Sequence, residues 1–158
     1  MLELKEINRE NYDKVIKLSV HDEQKSFIAS NMYSLAQAKA CPECIPLAIY
    51  SSSNLVGFIM FCLDVEDNEY WIYRLMIDKT YQGKGYGKEA MNKAISLIKE
   101  DINHHILYIS FEQENNNAKL LYESLGFVAD GRILGDEIVY CLKYWWLFKW
   151  NMMFLFQK

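Results

Sequence analysis

The sequence predicts a single α/β domain, with hairpins before the centre of its sheet and a strand–helix–strand passage within it. Two apolar runs, "PLAIY" and "LVGFIMFCLD", are parted only by the polar turn "SSSN" and read as a hairpin. A third run, "YWIYRLMID", leads into a turn that holds Gly83, Gly85 and Gly87, three of the chain's seven glycines, and a helical stripe follows. The 158 residues are 51% hydrophobic and 24% charged with two prolines, enough for one buried core and without linker, repeat or low-complexity stretch.

Each element has its own signal. Tyr12, Val15 and Ile16 recur at helical spacing and predict a helix over 12–20, with Asn8 as its cap. A second helix runs through "SLAQAKA". The hairpin and "YWIYRLMID" supply three strands. Beyond the glycines, Ala90, Met91, Ala94, Ile95 and Ile98 form the apolar stripe of a helix packed on a sheet. "ILYISF" is the next strand. Ala118, Leu121, Tyr122 and Leu125 repeat the helical period, and Gly126 stands where a left-handed C-terminal cap belongs. "EIVYCLKY" closes the sheet.

Composition narrows the partners. A formal charge of −4 argues against general nucleic-acid binding, which draws on a basic surface, and accommodates a cationic partner. "MLELKEINREN" lacks the apolar core of a signal peptide, so the cytoplasm is the expected location. Cys41 and Cys44 form "CPEC", but no second C-x-x-C or paired His motif completes a zinc site. No metal is expected, and the cysteines read as reduced structural thiols.

The glycine turn precedes a helix start, where unpaired N–H donors and the positive end of the helix dipole suit a phosphate. Glycine lets the backbone come close to it. A P-loop fails, because Gln82 stands at the leading glycine and Glu89 follows Lys88 in place of a hydroxyl. A dinucleotide fingerprint fails because the third glycine comes one residue early. Q-x-x-G-x-G does fit, as Gln82, Gly85 and Gly87, and here the sequence resembles the GNAT family of acetyl-CoA-dependent N-acetyltransferases. Downstream, "ENNNAKLLYESLGF" resembles that family's N-x-x-A-x-x-x-Y-x-x-x-G-F segment, with Asn115, Ala118, Tyr122, Gly126 and Phe127 in place.

The resemblance covers Leu4 to about Tyr144. It implies a domain over 1–144 with a mixed, mostly antiparallel twisted sheet flanked by helices and splayed at its central strands. It also implies acetyl-CoA as co-substrate. Gln82, Gly83, Lys84, Gly85, Tyr86, Gly87 and Lys88 would surround its pyrophosphate, joined by Asn115, Ala118, Lys119 and Tyr122. A backbone N–H among Leu75, Met76 and Ile77 would polarise the acetyl carbonyl, and Tyr122 would protonate the departing thiolate.

The acceptor amine must lose a proton, which costs an alkylammonium of pKa about 10.4 roughly 4 to 5 kcal/mol at pH 7. A carboxylate is the usual remedy, directly or through water. Where many members of the family carry a Glu on the central strand, this chain has Tyr73 and Arg74. Glu69 and Glu112 are the candidates, with Glu23 and Glu114 as alternatives. The segment "HDEQKSFIASNMYSLAQA" resembles bacterial spermine/spermidine acetyltransferases, a subgroup of the family. That likeness implies that Glu23, Gln24, Asn31, Tyr33 and Ser34 form a helical lid over the acceptor groove, with Trp71, Tyr73 and Arg74 also in contact with substrate.

The acidic run "DVEDNEYW" pairs carboxylates with aromatic faces, both suited to a polyamine, although a solvated hairpin turn has the same composition. The expected acceptor is a primary amine of spermidine or spermine. Other small amines, aminoglycosides and protein N-termini stay open, as does a non-catalytic acyl-CoA-binding module. The aromatic-rich tail, 145–158, is too short to span a bilayer. An interfacial anchor, a dimer contact and a non-native extension all fit it; burial against its own or a second subunit is the expectation, the second of these making a homodimer.

Overall fold

A computed structural model describes residues 1–144; the tail and any dimer contact through it lie outside the described residues. Seven strands form one sheet: β1 (Leu2–Glu6), β2 (Cys44–Ser51), β3 (Asn54–Leu63), β4 (Tyr70–Ile77), β5 (Ile106–Glu112), β6 (Val128–Leu134) and β7 (Glu137–Lys143). Their order is β1-β2-β3-β4-β5-β7-β6. All neighbours are antiparallel except β4 and β5, which are parallel. Four helices accompany the strands: α1 (Tyr12–Val15), α2 (Asn31–Ala40), α3 (Tyr86–Ile98) and α4 (Asn116–Glu123).

The sheet has a core on each face because alternate strand residues point opposite ways. Ile59 and Phe61 of β3 join Met91, Ile98, Leu107, Phe111 and Phe127 beneath α3 and α4. Phe58, Met60 and Cys62 of the same strand join Val15, Met76 and Leu35 on the face carrying α1 and α2.

The expected helix over 12–20 shrinks to Tyr12–Val15. Its cap is Asn11, not Asn8, and the Asn11 amide is committed to Glu6 and Asn8. Two strands carry no legible signal in the sequence. β1 is short and set among charges, and every residue of β6 is exposed, so no period-two burial marks it. The cysteines also differ from expectation. Cys44 and Cys62 face each other across β2 and β3, with Cα atoms 4.1 Å apart, and are joined as a disulfide; Cys41 and Cys141 are free. An 18-residue separation in sequence hides that cross-strand pairing.

Two irregularities open the centre of the sheet. The β4–β5 ladder holds only from Tyr70 to Ile72, opposite Leu107 to Ile109, although β4 runs on to Ile77 and β5 to Glu112. The strands part beyond that point, which is the splay the family resemblance implies. On the other side of β4, Met60 pairs with Arg74 and Phe61 with Ile72, so Tyr73 is an extra, bulged residue.

Candidate active site

The parting of β4 and β5 leaves a cavity of about 1140 Å³ that reaches both faces of the sheet. The lining on one face comes from the glycine turn, α3 and α4; on the other it comes from the 23–29 segment, Gln37 of α2 and the acidic loop after β3. Without the gap the two sets of side chains would be separated by a continuous ladder.

The glycine turn begins where Asp78 ends β4. Its carboxylate accepts from the Ser19 N–H at 3.0 Å and from both the N–H and the hydroxyl of Thr80, at 3.0 and 2.7 Å. Gln82 then donates to the Ile77 carbonyl at 3.0 Å and to Gln24 Oε1 at 2.8 Å, fastening the turn to both β4 and the 3-10 turn at Asp22–Gln24. Gly83 and Gly85 have φ of 76° and 81°, and a Cβ on either would meet nothing within 4 Å. Their requirement is therefore the left-handed backbone, and the space beside them is open. Gly85 caps α3, and the first helical bond is Glu89 N–H to the Gly85 carbonyl, so the amides of the first turn have no intrahelical acceptor. A diphosphate fits this cradle.

Tyr122 stands on the same face. It is 7% exposed, with its ring 5.3 Å from Phe111 and 6.0 Å from Phe127. Burial, with a smaller contribution from the Glu137 charge, lifts its phenol well above the ordinary range, so it carries its proton at neutral pH. Asn115 caps α4, its side chain accepting from the Ala118 N–H at 3.1 Å. Asn115 and Ala118 line the cavity. Lys84, Lys88 and Lys119 are not among its lining residues; Lys84 lies 5.2 Å from the Tyr81 ring, and Lys88 reaches the Ser124 carbonyl at 3.4 Å. Leu75, Met76, Ile77, Tyr86 and Gly87 all line it.

The opposite face is rich in carboxylates. Glu23, Asp64, Glu66, Asp67, Glu112 and Glu137 line the cavity, against the cations of Arg74 and Arg132. Glu112 and Glu137 are direct partners in the β5–β7 ladder, and Ser110 Oγ hydrogen-bonds Glu137. The bulge turns Tyr73 and Arg74 into this half. Tyr73 donates to Asp64 at 2.7 Å, and burial together with that carboxylate raises its phenol out of reach of neutral pH. Arg74 donates to Gln37 of α2 at 3.2 Å and to the Tyr73 carbonyl at 2.6 Å; burial pulls its pKa down, with Tyr33 and Glu137 among the opposing influences.

Several residues expected at the site lie elsewhere. Glu69 is outside the cavity lining, 3.7 Å from the buried His104 at the far end of β4. Asn31 is 4% exposed, and its amide donates to the Val15 carbonyl at 2.9 Å, joining α2 to α1. Ser34 is fully buried on the Ser30 carbonyl, and Tyr33 is 61% exposed; neither lines the cavity. Helical lid residues have a buried side, and the sequence does not say which way each one faces. Glu23, Gln24, Trp71, Tyr73 and Arg74 do line it. Gln37, Ser110, Arg132 and Glu137 line it as well and carry no motif; only a strand register reveals Glu137.

Comparison with known proteins agrees with this architecture. The pattern of the acetyltransferase (GNAT) family matches residues 3–127. The chain is 32% identical over 138 residues to a probable spermine N(1)-acetyltransferase of Bacillus subtilis subsp. natto (strain BEST195), covering 84% of this chain and 91% of that protein. It is 31% identical over the same length and shares to the spermine/spermidine N(1)-acetyltransferase of Bacillus subtilis (strain 168). The crystal structure of spermidine N-acetyltransferase from Vibrio cholerae, in complex with CoA and spermine, shares the fold at a TM-score of 0.72 and 20% identity, over 90% of this chain and 95% of that one. With the splayed sheet, the glycine cradle and a family pattern spanning most of its length, the chain belongs to the GNAT acetyltransferase family, whose co-substrate is acetyl-CoA.

Proposed function

We propose that this acetyltransferase transfers an acetyl group to a primary amine of a polyamine such as spermidine or spermine. The observation that carries the reading is the lining of the acceptor half: six carboxylates against two arginines, with Trp71 and Tyr73 among them. A flexible polycation with an apolar stem matches such a lining by charge and by cation–π attraction. The named activity of the Bacillus relatives supports the same acceptor class.

Bound acetyl-CoA supplies an activated thioester carbonyl. The free amides at the start of α3 hold its diphosphate, and an N–H of the Leu75–Ile77 stretch, facing the side from which β5 has withdrawn, donates to the carbonyl oxygen. Tyr122 gives its proton to the departing sulfur from one face of the sheet. Glu137, paired with Glu112 and oriented by Ser110, takes the amine's proton from the other, directly or through water. This role falls to β7 because β4 offers Tyr73 and Arg74 where many members of the family have a carboxylate.

A CoA-thiol release assay across an amine library, with an amine-free control, tests the proposal. Turnover is expected with spermidine and spermine above monoamines, aminoglycosides and peptide N-termini. Folded protein that binds CoA but acetylates no polyamine would overturn it; silence toward every amine would favour a binding module.

A further inference from the structure

At the end of the acceptor half, away from the glycine cradle, the protein builds a cation cage and fills it with its own side chain. Trp71 and Tyr108 face each other across the parallel β4–β5 ladder, with ring centroids 5.0 Å apart. The Arg132 guanidinium carbon lies over both rings, 4.3 Å from the centre of Tyr108 and 5.2 Å from that of Trp71. Asp67 closes one side. It accepts from the indole N–H of Trp71 at 3.0 Å and stands 3.8 Å from Arg132 Nη1.

Arg132 reaches this place through an irregular stretch of β6. Ala129 pairs with Tyr140 and Ile133 with Ile138, so three residues, 130–132, stand opposite Val139 alone. Gly131, at φ of 94°, makes that excursion feasible. Asp130 travels with the arm: its carboxylate takes the Arg132 N–H and Nε at 2.9 and 2.6 Å. The walls are anchored in the sheet, Trp71 being only 8% exposed, while the side chain of Arg132 is 41% exposed on a strand without a buried residue. The cage can therefore outlast withdrawal of the arm.

Trp71, Asp67 and Arg132 belong to the same cavity as Glu112 and Glu137. Tyr108 and Glu112 lie on one face of β5, four residues apart, or about 13 Å at the usual rise per residue. A monoamine at the Glu112–Glu137 pair would fall short of the cage; a long polyamine would span the interval. We infer that Trp71, Tyr108 and Asp67 form a subsite for the distal ammonium of a long acceptor, and that Arg132 is an internal cation which such an acceptor displaces. The inference rests on the reading that amines enter this cavity, and it adds how chain length is sensed.

The test is calorimetric binding of spermine and of propylamine to the full chain, in the parent protein, Arg132→Ala and Arg132→Ala/Tyr108→Leu, independent of turnover. Arg132→Ala should bind spermine about three- to tenfold more tightly, the range a released cation–π site commands, with propylamine unchanged. The added Tyr108→Leu change should abolish that gain without touching the glycine cradle. Equal spermine affinity in parent and Arg132→Ala, no binding to either, or a parallel shift for propylamine overturns the subsite. Retained spermine binding with no acetylation strikes the proposed transfer and leaves the subsite standing.

Discussion

In the proposed mechanism Tyr122 and Glu137 serve opposite ends of one proton inventory, and single-atom changes separate them. Tyr122→Phe keeps the ring among Phe111 and Phe127 and removes only the hydroxyl. Turnover should fall about a hundredfold, while CoA affinity from calorimetry stays near the parent value. Glu137→Gln preserves shape and removes the proton acceptor. Its kcat/KM should drop about a hundredfold at pH 7, and the deficit should shrink as pH approaches the amine's own pKa of about 10.4, where the acceptor is already neutral. A deficit that is flat across a pH–rate profile, or a larger one in Glu112→Gln, would move the role away from Glu137. Tyr122 was legible in the sequence because it sits inside a spaced motif. Glu137 was not, because its relation to Glu112 exists only across a strand pairing.

Among elements, the turn between β4 and α3 is held by side chains that bond backward to neighbouring segments. Asp78 is buried enough for desolvation to push its carboxyl up, yet the Ser19 and Thr80 hydrogen bonds prevail and hold it below the ordinary Asp value of about 3.9. A lowered folded-state value means stability that is present above the unfolded pKa and lost as pH falls through the folded one. Asp78→Asn should therefore cost about 1 to 2 kcal/mol at neutral pH, with the difference from the parent closing as pH falls below the ordinary Asp value in acid-denaturation curves. Gly85→Ala places a Cβ at φ of 81°, a strain of about 1 to 2 kcal/mol, and should weaken CoA binding more than it lowers the melting temperature. The glycine pattern signals this element in the sequence. The Asp78 clamp to Ser19 joins residues 59 apart, and local spacing holds no trace of it.

For the whole molecule, a net charge of −4 and the carboxylate-lined half of the cavity create a field that draws cations. kcat/KM for spermine should fall steeply between about 0.05 and 0.5 M salt, as the Debye length contracts, and the slope should exceed that for a monoamine. Equal slopes in a stopped-assay salt series would remove electrostatic attraction from the account. At this scale the division between sequence and structure becomes physical. The α/β class, most strands, α2, α3 and α4, the glycine turn and the family are readable along the chain, because each rests on local periodicity, capping or a short motif. Long-range packing sets the short α1, the exposed β6, the Cys44–Cys62 pair and the inward or outward facing of Asn31, Ser34 and Tyr33. It also brings Glu137 and Tyr122 to one cavity from opposite faces of a sheet and lays Arg132 on Trp71 and Tyr108. Those facts depend on strand register and on where a ladder stops, and both are settled by contacts between residues remote from one another along the chain.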